Sequence, residues 1–340
     1  MTVRPNNIPQ LGGRVYLEAY LRPLAEWLGR PDVTDILIND SGEVWVESIG
    51  GAMERHAAPE LTDVTLWRLA TQIAASANQG VSREHPLLAA TLPGGARVQI
   101  VAPPATRGAM ALAIRKHVVT DLGLDDYAAN GAFATARGVS LAQRSADHLL
   151  LKETLHAGDM PGFLRQAVRL RKNIIVSGGT STGKTTFLNA LVKEIPLGER
   201  LIMIEDTPEI RLEHPNAVGL VAARGTLGEA RVNVEDLLQA SLRMRPDRIL
   251  LGELRGPEAY SFLRAVNSGH PGSITTVHAD SPRAAVDQIA LMVIQAGANL
   301  SRPEIVEYVN GVVDVAVQLS RRDGKRIVSE VAFSPRLEEG

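Results

Sequence analysis

At 340 residues the chain exceeds one ordinary domain, and its 45% hydrophobic and 22% charged residues suit a soluble protein with material for sizeable cores. A net charge of −2 gives no overall attraction to nucleic acid or anionic lipid, and no sequence-specific nucleic-acid binding is expected. The absence of cysteine excludes disulfide scaffolds, cysteine-ligated zinc and thiolate catalysis, and no apolar run approaches the ~18 residues that span a bilayer.

The first ten residues are polar, with prolines at 5 and 9, and lack the apolar core of a signal peptide, so the chain reads as soluble and cytoplasmic. Residues 34–39 (Thr-Asp-Ile-Leu-Ile-Asn) read as a strand, Asp40-Ser41-Gly42 as turn chemistry, and 44–46 (Val-Trp-Val) as the returning strand of a hairpin. Within 62–77, Leu66, Leu69, Ala70 and Ile73 fall at helical spacing behind Thr62, a good N-cap. Pro93-Gly94-Gly95 makes another turn, and 97–101 and 109–114 read as a second strand pair. These elements predict an α+β unit over 1–117. Between 118 and 162 the pattern weakens, and a linker with short helices is expected there; the alternative is that this stretch continues the first unit.

From 163 onward the character changes. Residues 173–176, 201–204 and 249–251 are short and mostly apolar, as buried parallel strands are, and 273–277 is a fourth strand richer in Ser and Thr. Helical patterns at 185–194, 234–242 and 257–266 lie between them. Strands alternating with helices imply an α/β domain over 163–340 whose mostly parallel sheet is covered on both faces. Alternation at 313–319, the Asp323-Gly324 turn and the returning run 327–333 predict a closing hairpin.

The strand at 174–176 runs into Gly178-Gly179-Thr180-Ser181-Thr182-Gly183-Lys184-Thr185-Thr186, and an amphipathic helix follows. This is a Gly-x-x-x-x-Gly-Lys-Thr phosphate loop in its required strand-to-helix setting. Gly178 and Gly183 permit backbone angles closed to other residues and let phosphate oxygens approach. Lys184 reaches the β- and γ-phosphates as a point charge, and the Thr185 hydroxyl ligates Mg²⁺.

Binding a nucleotide does not cleave it. Cleavage needs a carboxylate to orient water and another near Mg²⁺. Parallel sheets present functional groups at the carboxyl ends of their strands, and two strands here end in acids, at Glu205 and Glu253. Glu253 is assigned to the Mg²⁺ shell through water and Glu205 to the attacking water; the two roles are interchangeable on this reading. The bland alternative for either acid is a helix cap or an arginine pair. Asp206 and Glu209 are secondary and read as caps. His270 and His278 bracket the fourth strand, and His278, just past its end, is placed to sense a γ-phosphate.

Four elements therefore occur in order: the loop, the acidic box 204–209, the segment 243–256 (Arg-Met-Arg-Pro-Asp-Arg-Ile-Leu-Leu-Gly-Glu-Leu-Arg-Gly), and the histidine box 269–279. Together they resemble the secretion ATPase superfamily of type II secretion, type IV pili and type IV secretion, and most of all its type IV secretion and conjugation branch. The resemblance implies a RecA-like P-loop domain preceded by a smaller N-terminal domain, with nucleotide and Mg²⁺ between the two. It implies that Arg97 and Arg115 reach the phosphates. It further implies a homohexameric ring, peripheral on the cytoplasmic side of the bacterial inner membrane, working with other secretion ATPases and inner-membrane components. The expected activity is an ATP-driven domain swing that powers pilus assembly or export. The alternatives are a pilus assembly or retraction motor, a DNA-translocating motor, a small-molecule kinase, and a nucleotide-gated scaffold with little turnover.

Overall fold

The computed structural model describes residues 11–117, 123–129, 131–136, 146–223 and 228–333, with the side chains of 11–15 left aside. Part of the stretch expected to be a linker lies outside the described residues, at 118–122, 130 and 137–145. Among the described residues no helix is long and apolar enough to cross a membrane.

The N-terminal elements are α1 (Leu11–Leu21), α2 (Ala25–Gly29), β1 (Val33–Ile38), β2 (Glu43–Ser48), β3 (Glu54–Ala57), α3 (Asp63–Ser76), β4 (Leu87–Thr91), β5 (Arg97–Val101) and β6 (Ala111–Arg115). The strands form an antiparallel sheet in the order β3-β2-β1-β6-β5-β4. Side chains alternate across a strand. Ile36 and Ile38 therefore join Leu66, Leu69 and Ile73 of α3 in one core, while Leu37 and Trp45 enter another core shared with the C-terminal strands. Its central strands β1, β6 and β5 are largely buried on both faces, while the edge strands β3 and β4 keep exposed residues. Thr62 caps α3 by accepting from the Thr65 amide at 3.2 Å. The polar edge strand β3 carried no apolar signal in the sequence.

Next come α4 (Leu124–Ala129), α5 (Ala146–His156) and α6 (Met160–Arg169). The expected boundary at 162/163 moves. Leu151 of α5 is wholly buried beside Phe163, Ala167 and Val168 of α6, in the core that holds the phosphate-loop strand. Residues 146–162 thus pack as part of the C-terminal body. Leu151 is the one buried residue of α5, too sparse a stripe to show as periodicity.

The C-terminal body contains β7 (Ile174–Gly178), α7 (Lys184–Val192), β8 (Leu201–Glu205), β9 (Ala217–Val221), α8 (Val234–Ser241), β10 (Arg248–Leu254), α9 (Glu258–Asn267), β11 (Ile274–Val277), α10 (Pro282–Gln295), α11 (Arg302–Val312), β12 (Val315–Arg322) and β13 (Lys325–Phe333). Its sheet runs β13-β12-β7-β11-β10-β8-β9, parallel except for the β12–β13 hairpin. The RecA-like class expected from the resemblance is the class observed. Strands β8 and β10 are adjacent, and β11 separates β10 from β7, which fixes what their carboxyl ends can bring together.

Buried polar groups tie the body down. Arg248, wholly buried, makes a bidentate pair with Glu199 (2.8 and 2.7 Å) and donates to the Val168 carbonyl at 2.7 Å. Gly272 of the histidine box belongs to this cluster. Its φ is +83°, and a Cβ there would lie 2.6 Å from Arg248 Nη1 and 2.9 Å from Arg171 Cα. Gly272→Ala is expected to cost about 1–3 kcal/mol, read as a lower thermal midpoint, because the site combines a left-handed backbone with no room.

The N-terminal sheet is seated on the body. Residues 105–107 add to the open edge of β9: the Arg107 amide donates to the Gly219 carbonyl, and the Val221 amide to the Ala105 carbonyl, both at 2.9 Å. Arg200 is fully buried at this junction, donating to Asn39 Oδ1 at 2.7 Å and to the Met244 carbonyl at 2.9 Å. Burial pulls its guanidinium down to about 9. Arg245 bridges Glu47 of β2 and Asp247 of the body, at 2.6 and 2.7 Å.

Candidate functional site

Strand β7 ends at Gly178 and α7 begins at Lys184, so residues 178–183 turn the chain at the carboxyl edge of the parallel sheet. Two features shape the loop. Gly183 is left-handed (φ +94°), as is Ser181 (φ +62°), and a Cβ on Gly178 would lie 2.5 Å from Thr182 Oγ1 and 2.8 Å from the Leu319 carbonyl. Gly183, the N-cap of α7, offers no side-chain cap. The first amides of that helix are left for an anion, where the helix dipole favours one.

A cleft of about 370 Å³ opens over this loop. Thr180, Ser181, Thr182, Gly183, Lys184, Thr185 and Thr186 form one wall, and Glu205, Asp206, Glu209, Glu253 and His278 are among the residues opposite. Gly178 and Gly179 lie behind it; their carbonyls accept from Lys184 Nζ at 3.0 and 3.3 Å. The lysine is folded onto its own loop. Burial holds its ammonium below the usual value, and the nearby Glu253 carboxylate opposes that shift. Thr185 and Glu253 together present hard oxygen donors, the kind Mg²⁺ takes alongside phosphate oxygens.

Strand order explains which groups meet. His278 leaves the end of β11, between β7 and β10, and so touches both neighbours: Nε2 is 2.7 Å from Glu253 Oε1, and the ring lies 3.4 Å from Lys184 Nζ. Glu253 also takes Arg255 Nε at 2.7 Å, and Arg255 Nη1 reaches Asp206 at 2.8 Å. Asp206 is therefore an arginine partner, not the cap expected of it; no helix follows it, and the chain runs on to β9. Glu209 caps no helix either and lies against the cleft. His270 donates to or accepts from nothing in the cleft: its Nδ1 lies 3.0 Å from the Ala265 carbonyl at the end of α9.

Glu205, 4% exposed, ends β8 beside Gly252. A Cβ on Gly252 would lie 3.0 Å from Glu205 Cγ, so the glycine of Leu-Gly-Glu makes room for the neighbouring acid. Glu205 Oε1 accepts from the Glu209 and Ile210 amides at 2.9 Å each, and Oε2 pairs with Arg107. The arginine-pair alternative is thus realised for both acids, and each still faces the cleft.

Arg97 and Arg115 do not join this cleft within the chain. They sit opposite each other on β5 and β6, and with Gln99, Leu242 and Arg243 they line a separate cleft of about 500 Å³. Arg115 pairs there with Asp35 at 2.9 Å. The antiparallel register that sets them side by side also turns them away from the phosphate loop once residues 105–107 dock on β9. Among the described residues, the lysine and arginines that line the cleft over this loop are Lys184, Arg255 and Arg326, the last reaching from β13 to Gly183. Sequence reasoning quoted Arg255 only as part of a motif and missed Arg107 and Arg326. No local pattern marks an arginine that arrives from a hairpin or a neighbouring sheet.

Residues 19–328 match the family model described as Type II/IV secretion system protein. The type IV secretion system protein VirB11 of Brucella suis biovar 1 (strain 1330) is 43% identical over 327 residues, covering 93% of this chain and 90% of that protein. VirB11 of Bartonella quintana (strain Toulouse) is 38% identical over 328 residues, covering 93% and 92%. A PtlH homolog of Bordetella bronchiseptica (strain ATCC BAA-588 / NCTC 13252 / RB50), also a type IV secretion system protein, is 40% identical over 314 residues, covering 91% of each. Among solved structures, the VirB11 ATPase from the Brucella suis type IV secretion system in complex with sulphate superposes with a TM-score of 0.87 at 41% identity, over 94% of this chain and 98% of that one. A phosphate loop with an uncapped helix start, two strand-end acids facing it, and this agreement along both sheets lead to one statement: the chain belongs to the type II/IV secretion system protein family.

Proposed function

We propose that the chain is the ATP-hydrolysing motor of a type IV secretion or conjugation machine. The observation that carries the reading is the convergence of Lys184, His278 and Glu253 over the uncapped start of α7, with Glu205 on the adjoining strand. In this reading the loop amides and Lys184 hold the phosphate tail. Thr185 and Glu253 would hold Mg²⁺, which when bound neutralises charge on the β- and γ-phosphate oxygens. Glu205 orients the attacking water, and His278, between Lys184 and Glu253, registers whether the γ-phosphate is present. Calorimetry of the full chain with Mg²⁺ and a non-hydrolysable ATP analogue tests this: saturable binding is expected, and no heat of binding would overturn it.

The ring, its peripheral place at the inner membrane and its secretion partners are parts of the same proposal. Because Arg97 and Arg115 line a cleft of their own, we assign them to the phosphates of a neighbouring copy in a homohexamer. An Arg97→Ala/Arg115→Ala double variant should bind analogue like wild type when dilute. Its turnover should fall about tenfold or more under conditions where the wild type is hexameric by native mass spectrometry. Equal loss at every concentration would place both arginines on their own chain's nucleotide instead.

A further inference from the structure

The acid assigned to the attacking water is held by a residue from the other unit of the chain. Arg107 leaves the segment that docks on β9, runs across that strand and ends on Glu205. Its side chain is 14% exposed and that of Glu205 2%. Burial lowers the pKa of this guanidinium, which meets the Glu205 carboxylate and also donates to the Ile210 carbonyl. The other Glu205 oxygen is committed to the Glu209 and Ile210 amides, so the carboxylate is fixed from two sides: by its own acidic box and by the N-terminal unit.

A second, independent observation lies on β9. Gly219 pairs with Met203 in the middle of a regular parallel strand, where no turn or positive φ calls for glycine. A Cβ at this position would meet Arg107 Cδ at 2.5 Å, and Cγ and Nε at 2.9 Å. The strand is bare where the arginine crosses it. Gly252 is bare in the same way where Glu205 passes, with Glu205 Cγ at 3.0 Å. Two missing side chains therefore clear the path of one ion pair.

We propose that Arg107 is a positioning residue: it holds the Glu205 carboxylate in the orientation that serves the attacking water, and so makes hydrolysis depend on the seating of the N-terminal sheet. This rests on the ATPase reading of the cleft. A shift of the docked segment carries Arg107 with it, and a misplacement of the acid by about 1 Å is enough to cost on the order of 10²-fold in rate. The phosphate-loop contacts do not involve Arg107, so binding and turnover separate.

The test uses the full chain with R107A, R107K and G219A. Turnover is followed at steady state, and affinity by calorimetry with a non-hydrolysable ATP analogue. R107A and G219A are each expected to lower kcat about 10- to 100-fold while KM and analogue affinity stay within about twofold, and R107K to recover part of the loss. G219A keeps every charge and only displaces the arginine, so it decides the matter should R107A fail to fold. An unchanged kcat in G219A overturns the inference. So does a raised kcat in R107A, which would mean that the contact withholds Glu205. Wild-type protein that binds no analogue would remove the ATPase reading itself; wild type that turns over normally beside an unaffected G219A removes only the role of Arg107.

Discussion

Lys184→Ala is expected to abolish saturable nucleotide binding at micromolar concentrations, and Glu253→Gln to leave binding in place while lowering kcat about 10²- to 10³-fold. The two differ because they act at different points of one cleft. Lys184 is the loop's own cation and half-buried; on the proposed reading it would lie near phosphate in ground state and transition state alike, so its loss would remove binding as such. Glu253 faces the same space from β10, held by His278 at 2.7 Å and by Arg255 at 2.7 Å. Its charge matters most where charge develops during cleavage, so its amide loses rate more than affinity. Steady-state ATPase assays with calorimetry on the same preparations separate these outcomes. Near-normal turnover in either variant would defeat the assignment of the cleft.

A loss of about 3–5 kcal/mol in folding stability is expected for Glu199→Gln, with no direct effect on the cleft over the phosphate loop. Arg248 is wholly buried at the start of β10, and the Glu199 carboxylate answers it with two charge-assisted hydrogen bonds. Removing the carboxylate's charge leaves a buried cation with only neutral acceptors, including the Val168 carbonyl. For bodies of this size each kcal/mol moves the thermal midpoint by roughly 2–4 °C, so a fall of about 6–20 °C should be visible by calorimetry or circular dichroism. A fall of less than about 2 °C would mean that the Arg248 charge is met elsewhere. Arg171, 3.1 Å from Glu199 and partly exposed, would then be the first place to look.

The short apolar runs at 173–176, 201–204 and 249–251 carried enough signal to give the parallel sheet, because a strand buried on both faces has no choice but to be apolar. The phosphate loop was legible for a similar reason. Its glycines, lysine and threonine each serve a local need of backbone angle, charge or hydroxyl, and those needs sit within a few residues of one another. Thr62 as the cap of α3 and Asp323-Gly324 as the turn between β12 and β13 are local in the same sense. Ser281-Pro282 at the start of α10 and the Ser301–Glu304 capping box at the start of α11 are signals of the same local kind.

What crossed long stretches of chain could not be read this way. Arg107 and Glu205 are far apart in sequence and meet because residues 105–107 dock on the edge of β9. The same docking sets Arg97 and Arg115 over Leu242 and Arg243, away from the phosphate loop. Gly219 and Gly252 look like ordinary strand glycines until the side chains that cross them are in place. Local sequence determined the loop, the strands and the acids at their ends, since these depend on neighbours a few residues away. Tertiary structure decided which arginine each acid received, because an ion pair between sheets depends on strand order and docking, and neither leaves a periodic trace in the chain.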